Sequence, residues 1–380
     1  MDTCSSRHHP SHDQQSQSQE FSRRDFLRLA GVTTAGVVLA SCKPKVPEAP
    51  EIPETSGKKA TQVAIGKVTE YKPEVIDDMV FKLIDQLGGL GDVVKSGDTV
   101  AIKPNLTGGV NSGTVPGYSA IESFITHPLV VRALIKQVRA AGAKEIFIVE
   151  AVYEWASYAE WGYEEVAASM EAKLIDLNDV KPYDDFMEAE VGDQSFIYPK
   201  FTMNKLLKEV DVFMSVSKMK NHYNAGVTHT LKNSYGLVPF RLYTLNPGDG
   251  YRSAFHGEAS QTRSRLPRVI IDLNRVRPIQ FSLVDGVKTA EAGEGPWIAT
   301  MTPVQPGVLI AGKNPVSTDA VATAVMGHDP TANFPSEPFI RCDNHLNLAA
   351  AAGLGTNKLD EIEVLGTPIK DVLYQFTPAR

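Results

Sequence analysis

The stretch from Ser217 to Gly236 carries the densest set of reactive side chains in the sequence. It holds Lys218, Lys220 and Lys232, the imidazoles of His222 and His229, and donors such as Asn221, Asn224, Thr228 and Asn233. Ammonium groups beside amide and hydroxyl donors suit a phosphate, sulfate or carboxylate. A histidine among them titrates near neutrality and can move a proton. The surroundings agree, with thirteen Lys or Arg against five Asp or Glu across residues 200–280, in a chain of formal net charge -7. A solvated basic loop has the same composition, so the stretch is a candidate site and not yet a site.

Roles follow from residue type. Lys103, Lys218, Lys220 and Lys232 are candidate anion ligands together with Thr228, and Asn105 and Asn233 could orient the anion. His127 and His222 are the acid/base candidates, although His127, just before Pro128, equally reads as a helix cap. A divalent metal is a second reading, with His127, His222 and His256 as nitrogen ligands and Asp285, Glu294 and Asp319 as oxygen ligands. No compact H-x-x-x-H or H-E-x-x-H spacing supports it. Asp285 before Gly286 also reads as a turn, Glu294 as a loop carboxylate, and Asp319, one turn into a helix, as a partner of the helix dipole.

These residues are spread over more than two hundred positions, so a fold must gather them. Apolar β-branched runs predict strands at 63–68, 99–102, 145–149, 173–177, 211–216, 280–284, 308–311 and 361–365. Helical periodicity predicts helices at 73–87, 128–141, 262–274 and 315–326. Leu129, Val130, Ala133, Leu134 and Val138 form the apolar stripe of the second, and Asn314-Pro315 is a cap and first residue for the fourth. This alternation predicts an α/β fold, a largely parallel sheet flanked by helices in three layers. Such sheets bind ligands beyond the carboxyl ends of their strands. Lys103 and Asn105, Glu150, Ser217 and Lys218, Asp285, and Lys313 and Asn314 all follow predicted strands, which places a site at that edge.

The same motifs resemble the domain-of-unknown-function family 362 (DUF362) over roughly Val63 to Pro330. Lys103-Pro104-Asn105-Leu106 is similar to its early K-P-N segment, and Thr126-His127-Pro128 to its T-H-P element. Lys218-Met219-Lys220-Asn221-His222 with Thr228 to Gly236 resembles its K-x-K-x-H…T…K-N-x-x-G signature. Asp285-Gly286-Val287 with Glu294-Gly295-Pro296, and Asn314-Pro315-Val316 with Asp319-Ala320-Val321 and Gly327, match two later segments. The resemblance implies a fold and a site, not a reaction. Many relatives append a ferredoxin-like cysteine module that this sequence lacks.

The first sixty residues read differently. Ser22-Arg23-Arg24-Asp25-Phe26-Leu27-Arg28 resembles a twin-arginine export signal. The apolar run Leu29–Ala40 is short for a bilayer span, which needs about 20 residues, but suits a signal core. Leu39-Ala40-Ser41-Cys42 resembles a lipobox, with Cys42 as the lipidated residue. Prolines at 44, 47, 50 and 53 share one edge of a polyproline II rod, and residues 43–60 could reach roughly 50 Å at about 3.1 Å per residue. The expected organisation is thus 1–42 signal, 43–60 tether and 61–380 α/β domain. The expected partners are a twin-arginine translocase, a membrane held through lipid and a small anionic ligand, in the cell envelope or periplasm.

Composition limits the rest. An acidic chain offers nucleic acid no basic footprint. The cysteines are Cys4, Cys42 and Cys342. Cleavage and lipidation at Cys42 would leave one free thiol, too few for a disulfide or for an iron–sulfur cluster. Two classes of function stay open: an enzyme acting on a small anionic substrate by Lys/His chemistry, with or without a divalent metal, and an envelope protein that binds an anion without chemistry. A redox accessory protein without its own cluster is a third.

Overall fold

The computed structural model describes residues 61–380; the signal, Cys42 and the tether lie outside the described residues. The fold is α/β. Eight strands form the main sheet: β1 (Thr61–Lys67), β2 (Thr99–Pro104), β3 (Glu145–Glu150), β4 (Lys173–Asp176), β5 (Val212–Lys218), β6 (Phe281–Gly286), β7 (Val308–Gly312) and β8 (Ile362–Gly366). Their order across the sheet is β8-β1-β7-β6-β5-β2-β3-β4. Of the eight, β7 alone runs against the others.

Strand alternation splits the core into two layers. Ala64, Val100, Ile102, Ile148 and Met214 face the side covered by α1 (Pro73–Gln86) and α2 (Pro128–Ala140). Val63, Ile65, Ala101, Phe147 and Phe213 face α3 (Thr262–Val276) and α4 (Pro315–Val325). Successive residues pointing to opposite faces make a sheet that is apolar on both sides, and helices must then cover both.

Local chemistry sets the helix ends. Proline opens α1, α2 and α4, where a missing N–H leaves no bond unmade. The Asn314 side chain caps α4 by accepting from Ser317 N–H at 3.0 Å. Pro267 lies inside α3, so the carbonyl of Arg263 has no helical donor. It accepts instead from the backbone N–H of Asp343 at 3.0 Å. No helix among the described residues is long and apolar enough to cross a membrane.

Two features depart from the sequence reading. Strands β2, β5 and β6 run two residues beyond their apolar runs, because backbone pairing continues at Lys103 with Ser215 and at Lys218 with Asp285. The reversal of β7 carries Lys313 and Asn314 to the opposite edge of the sheet, away from the other strand ends. Lys313 is committed there to Asp92 at 2.7 Å and the Leu87 carbonyl at 2.9 Å.

Candidate active site

Four neighbouring parallel strands end in charge. Across β6, β5, β2 and β3 the residues are Asp285, Lys218, Lys103 and Glu150. Each lysine turns to its outer neighbour. Lys218 Nζ lies 3.0 Å from Asp285, and Lys103 Nζ lies 2.7 Å from Glu150. All four side chains are buried. Two adjacent lysines neutralised in opposite directions divide this edge into two clusters.

The first cluster is closed. Lys218 also donates to Tyr71 Oη at 2.9 Å and the Ile121 carbonyl at 3.1 Å, and the Tyr71 hydroxyl donates to Asp285 at 2.7 Å. The His127 ring stacks on Tyr71 with centroids 3.8 Å apart. His127 caps α2, its Nδ1 accepting from Leu129 N–H at 3.2 Å, and its backbone N–H donates to Asp285 at 3.0 Å. Burial lowers the His127 pKa to about 4, against the pull of Asp285. Burial likewise lowers Lys218, and Asp285 opposes the shift.

The second cluster floors an open cavity of about 630 Å³. Lys103 donates to Asn233 Oδ1 and the Pro104 carbonyl, both at 3.1 Å, and Leu106 N–H donates to Glu150 at 3.1 Å. The Asn233 amide donates to the Lys103 carbonyl and to Ser215 Oγ, both at 3.0 Å. Gly236 passes so close that a Cβ there would overlap Glu150 Oε1. The glycine is required by this approach and not by its backbone angles, since its φ is -87°.

Lys232 is the exception among the lysines of this region. It sits on the short helix Thr230–Asn233, whose first N–H groups are held by Asp319: Thr230 N–H and Leu231 N–H each donate to it at 2.9 Å. Burial pushes Asp319 up to about 7, and these hydrogen bonds resist the rise. Lys232 Nζ lies 3.9 Å from the centroid of the Tyr235 ring. Among the described residues it makes no ion pair and no hydrogen bond. Burial pushes its amine down to about 7, Glu294 opposing and Arg252 and Lys103 reinforcing the fall. The ring face favours the ammonium by about 0.5–2 kcal/mol, which the burial penalty outweighs.

Two histidines line the same cavity. His222 Nδ1 accepts from Asn224 N–H at 3.1 Å, so Nε2 carries the proton and is a donor. Burial and the nearby Lys232 hold His222 well below 6.5, hence neutral. The Tyr235 hydroxyl donates to the Arg252 carbonyl at 3.1 Å, so its oxygen accepts from His256 Nε2–H at 3.4 Å. That leaves His256 Nδ1 as a free lone pair, and burial lowers its pKa to about 4. Arg252 is buried, spends Nε and Nη2 on the Val238 carbonyl at 3.0 and 2.6 Å, and has no carboxylate partner among the described residues. Tyr153, Phe240, Tyr251 and Trp297 supply apolar wall.

Lys103, Asn105, His222, Lys232 and Asn233 therefore line one cavity, and Glu294, considered from the sequence as a metal ligand or a loop carboxylate, lies on the same wall. The expectation that one pocket also takes His127, Lys218 and Lys220 is corrected, because the strand order pairs Lys218 with Asp285 and His127 caps a helix beside them. Lys220 is spent on the Phe124 and Glu294 carbonyls at 2.7 and 2.8 Å, and Thr228 faces it across a short hairpin. Asp285, Glu294 and Asp319 do not converge as a ligand set: one holds Lys218, one caps the helix of Lys232, and Glu294 accepts from Tyr223 N–H at 2.9 Å. No group of three or more metal-ligating side chains is found among the described residues. Tyr235 and Arg252 are site residues that sequence spacing did not single out, and His256, considered only as a metal ligand, lines the same cavity.

A family model described as "Domain of unknown function (DUF362)" matches residues 100–324, which include the Lys103–Glu150 and Lys218–Asp285 pairs and the Lys232 helix but not Tyr71. A thylakoid-associated protein of Synechocystis sp. is 27% identical over 256 residues, covering 67% of this chain and 70% of the relative. Among solved structures, the lactate racemase apoprotein of Thermoanaerobacterium thermosaccharolyticum aligns with TM-score 0.39 at 14% identity, over 70% of this chain and 57% of its own. A Thermotoga maritima protein aligns with TM-score 0.31 at 14% identity, over 63% of this chain and 55% of its own.

Proposed function

The chain belongs to the DUF362 family, and on that premise we propose that the cavity is the active site of an enzyme for a small anionic substrate. Lys232 is the reactive amine and His222 and His256 its proton-handling partners. One observation carries this: of the lysines in the Ser217–Gly236 stretch, Lys218 and Lys220 are bonded inside the protein, whereas Lys232, on the cavity wall, has no hydrogen-bond or ion-pair partner among the described residues. A structural lysine at this depth takes a carboxylate or carbonyl partner, as Lys103 and Lys218 do. An unpartnered amine near neutral pKa is suited to accept a proton or attack carbon, and binds an anion by taking a proton as the anion enters. Arg252 adds a fixed positive charge.

Calorimetric titration of the full chain with acetate, phosphate and sulfate tests the binding half. One of them should bind saturably, and Lys232→Ala should weaken it by about 1–3 kcal/mol, the size of a charge-assisted hydrogen bond. No saturable binding, or binding indifferent to Lys232, would remove the site. For the catalytic half, a mixture of organic acids is incubated with the protein and followed by mass spectrometry. Depletion that His256→Gln abolishes while binding survives supports the enzyme. Binding without depletion makes the cavity a non-catalytic anion receptor. We also infer that export by the twin-arginine route and lipid on Cys42 bring this domain to a membrane surface. Replacing Arg23 and Arg24 by lysine should then leave unlipidated precursor in the cytoplasm, and normal lipid labelling of that variant would reject the route.

A further inference from the structure

We propose that Lys232 forms an imine with the carbonyl carbon of an oxo acid bound in the cavity, a reading that rests on the cavity being the anion site. Four observations favour this chemistry. Lys232 Nζ has no hydrogen-bond or ion-pair partner among the described residues, so its nitrogen is uncommitted. It and His256 are held on one tyrosine, the amine 3.9 Å from the Tyr235 ring centroid and the imidazole 3.4 Å from its hydroxyl. His222 presents an N–H donor to the same cavity. Asn105 lines the cavity, and its Oδ1 is buried with no hydrogen-bond partner among the described residues, an acceptor still to be satisfied.

The charge on the wall narrows the substrate. Lys103 and Glu150 cancel, leaving Arg252, joined by Lys232 when it is protonated, against Glu154 and Glu294. That balance suits a monocarboxylate better than a dianionic phosphate, which would meet two carboxylates. The aromatic wall and a cavity of about 630 Å³ suit an acid with an apolar body.

The step balances without oxidant or reductant. The Lys232 lone pair forms a C–N bond to the carbonyl carbon, and the C=O π pair moves to oxygen. His256 Nδ1 relays the nitrogen-borne proton to that oxygen. Loss of the remaining nitrogen proton and protonation of the hydroxyl then expel water as the C=N bond forms.

The test is reductive trapping. The full chain is incubated with phenylpyruvate, or with pyruvate as the small comparator, and sodium cyanoborohydride near neutral pH, then digested and mapped by mass spectrometry. At pH 7 Lys232 should hold on the order of a thousandfold more free amine than a surface lysine titrating near 10.4. The reduced adduct should therefore concentrate on Lys232, form faster with phenylpyruvate, and rise with pH through about 7. Binding of both acids is measured in parallel by tryptophan fluorescence, Trp297 being the tryptophan on the cavity wall. Binding with adduct spread over surface lysines overturns the imine and leaves the anion site standing. Absence of both binding and adduct overturns the imine and the anion site together. The wild-type pH profile decides even if a Lys232→Met control fails to fold.

Discussion

At the residue scale, the site depends on which charges are spent. Lys103 and Glu150 form a buried pair that positions Asn233, next to Lys232, so Glu150→Ala should leave an uncompensated ammonium and destabilise the fold by about 3–5 kcal/mol. Gly236→Ala pushes a methyl group into the same pair and should cost roughly 1–3 kcal/mol, the range for overpacking. Denaturant unfolding of both variants checks this, and wild-type midpoints would show that the pair is not under compression. The composition of the Ser217–Gly236 stretch made its lysines visible, but all of them alike. Their separation into bonded and unpaired depends on neighbours far along the chain: Asp285 for Lys218, the Phe124 and Glu294 carbonyls for Lys220. The pairing of Tyr235 with His256 escaped notice because their link is one hydroxyl in space, with no signature in spacing.

At the element scale, alternation of β-branched runs with helical periods was enough to mark all eight strands of the main sheet and its four long helices. Their ends were less legible, since backbone pairing carries β5 through Ser217 and Lys218, which no apolar run announces. The direction of β7 was not legible at all. An apolar run reads the same either way, so Lys313 and Asn314 were assigned to the wrong edge. The four-residue helix bearing Lys232 is too short to be stable alone and depends on Asp319. Asp319→Ala strands the Thr230 and Leu231 N–H groups, each costing about 1–3 kcal/mol when buried unpaired. It should also loosen Lys232. Reduced thermal stability together with weaker anion binding is expected; weaker stability with unchanged binding would mean that the helix is held by its packing alone.

At the scale of the whole molecule, the buried histidines set the pH range. Burial lowers His127 and His256 to about 4 and His229 and His345 to about 3, and lowers His222 well below its usual value. In the unfolded chain each takes a proton below about 6.5, whereas in the folded chain each stays neutral. Their contribution to stability is present above 6.5 and is lost as pH falls toward 4, at up to about 1.4 kcal/mol per pH unit for each histidine. Asp319 opposes them: raised to about 7, it stays protonated in the fold where the unfolded chain has released its proton, so its contribution falls as pH rises from 3.8 to 7. His328 is lowered by burial as well, and Asp176 is raised like Asp319, so two carboxyl groups against six imidazoles leave a net loss on acidification. The melting temperature should drop steadily between pH 6.5 and 4.5, and a flat profile would mean that these imidazoles are protonated in the fold.

The central claim is that Lys232 is an uncommitted amine at an anion site, and its titration tests this most directly. Trace acetylation of the full chain across pH, read out at Lys232 by mass spectrometry, gives the protonation curve of that one nitrogen. The account predicts a midpoint near 7 that moves upward when the anion selected by calorimetry is bound. A midpoint near that of surface lysines, unmoved by the anion, would contradict it.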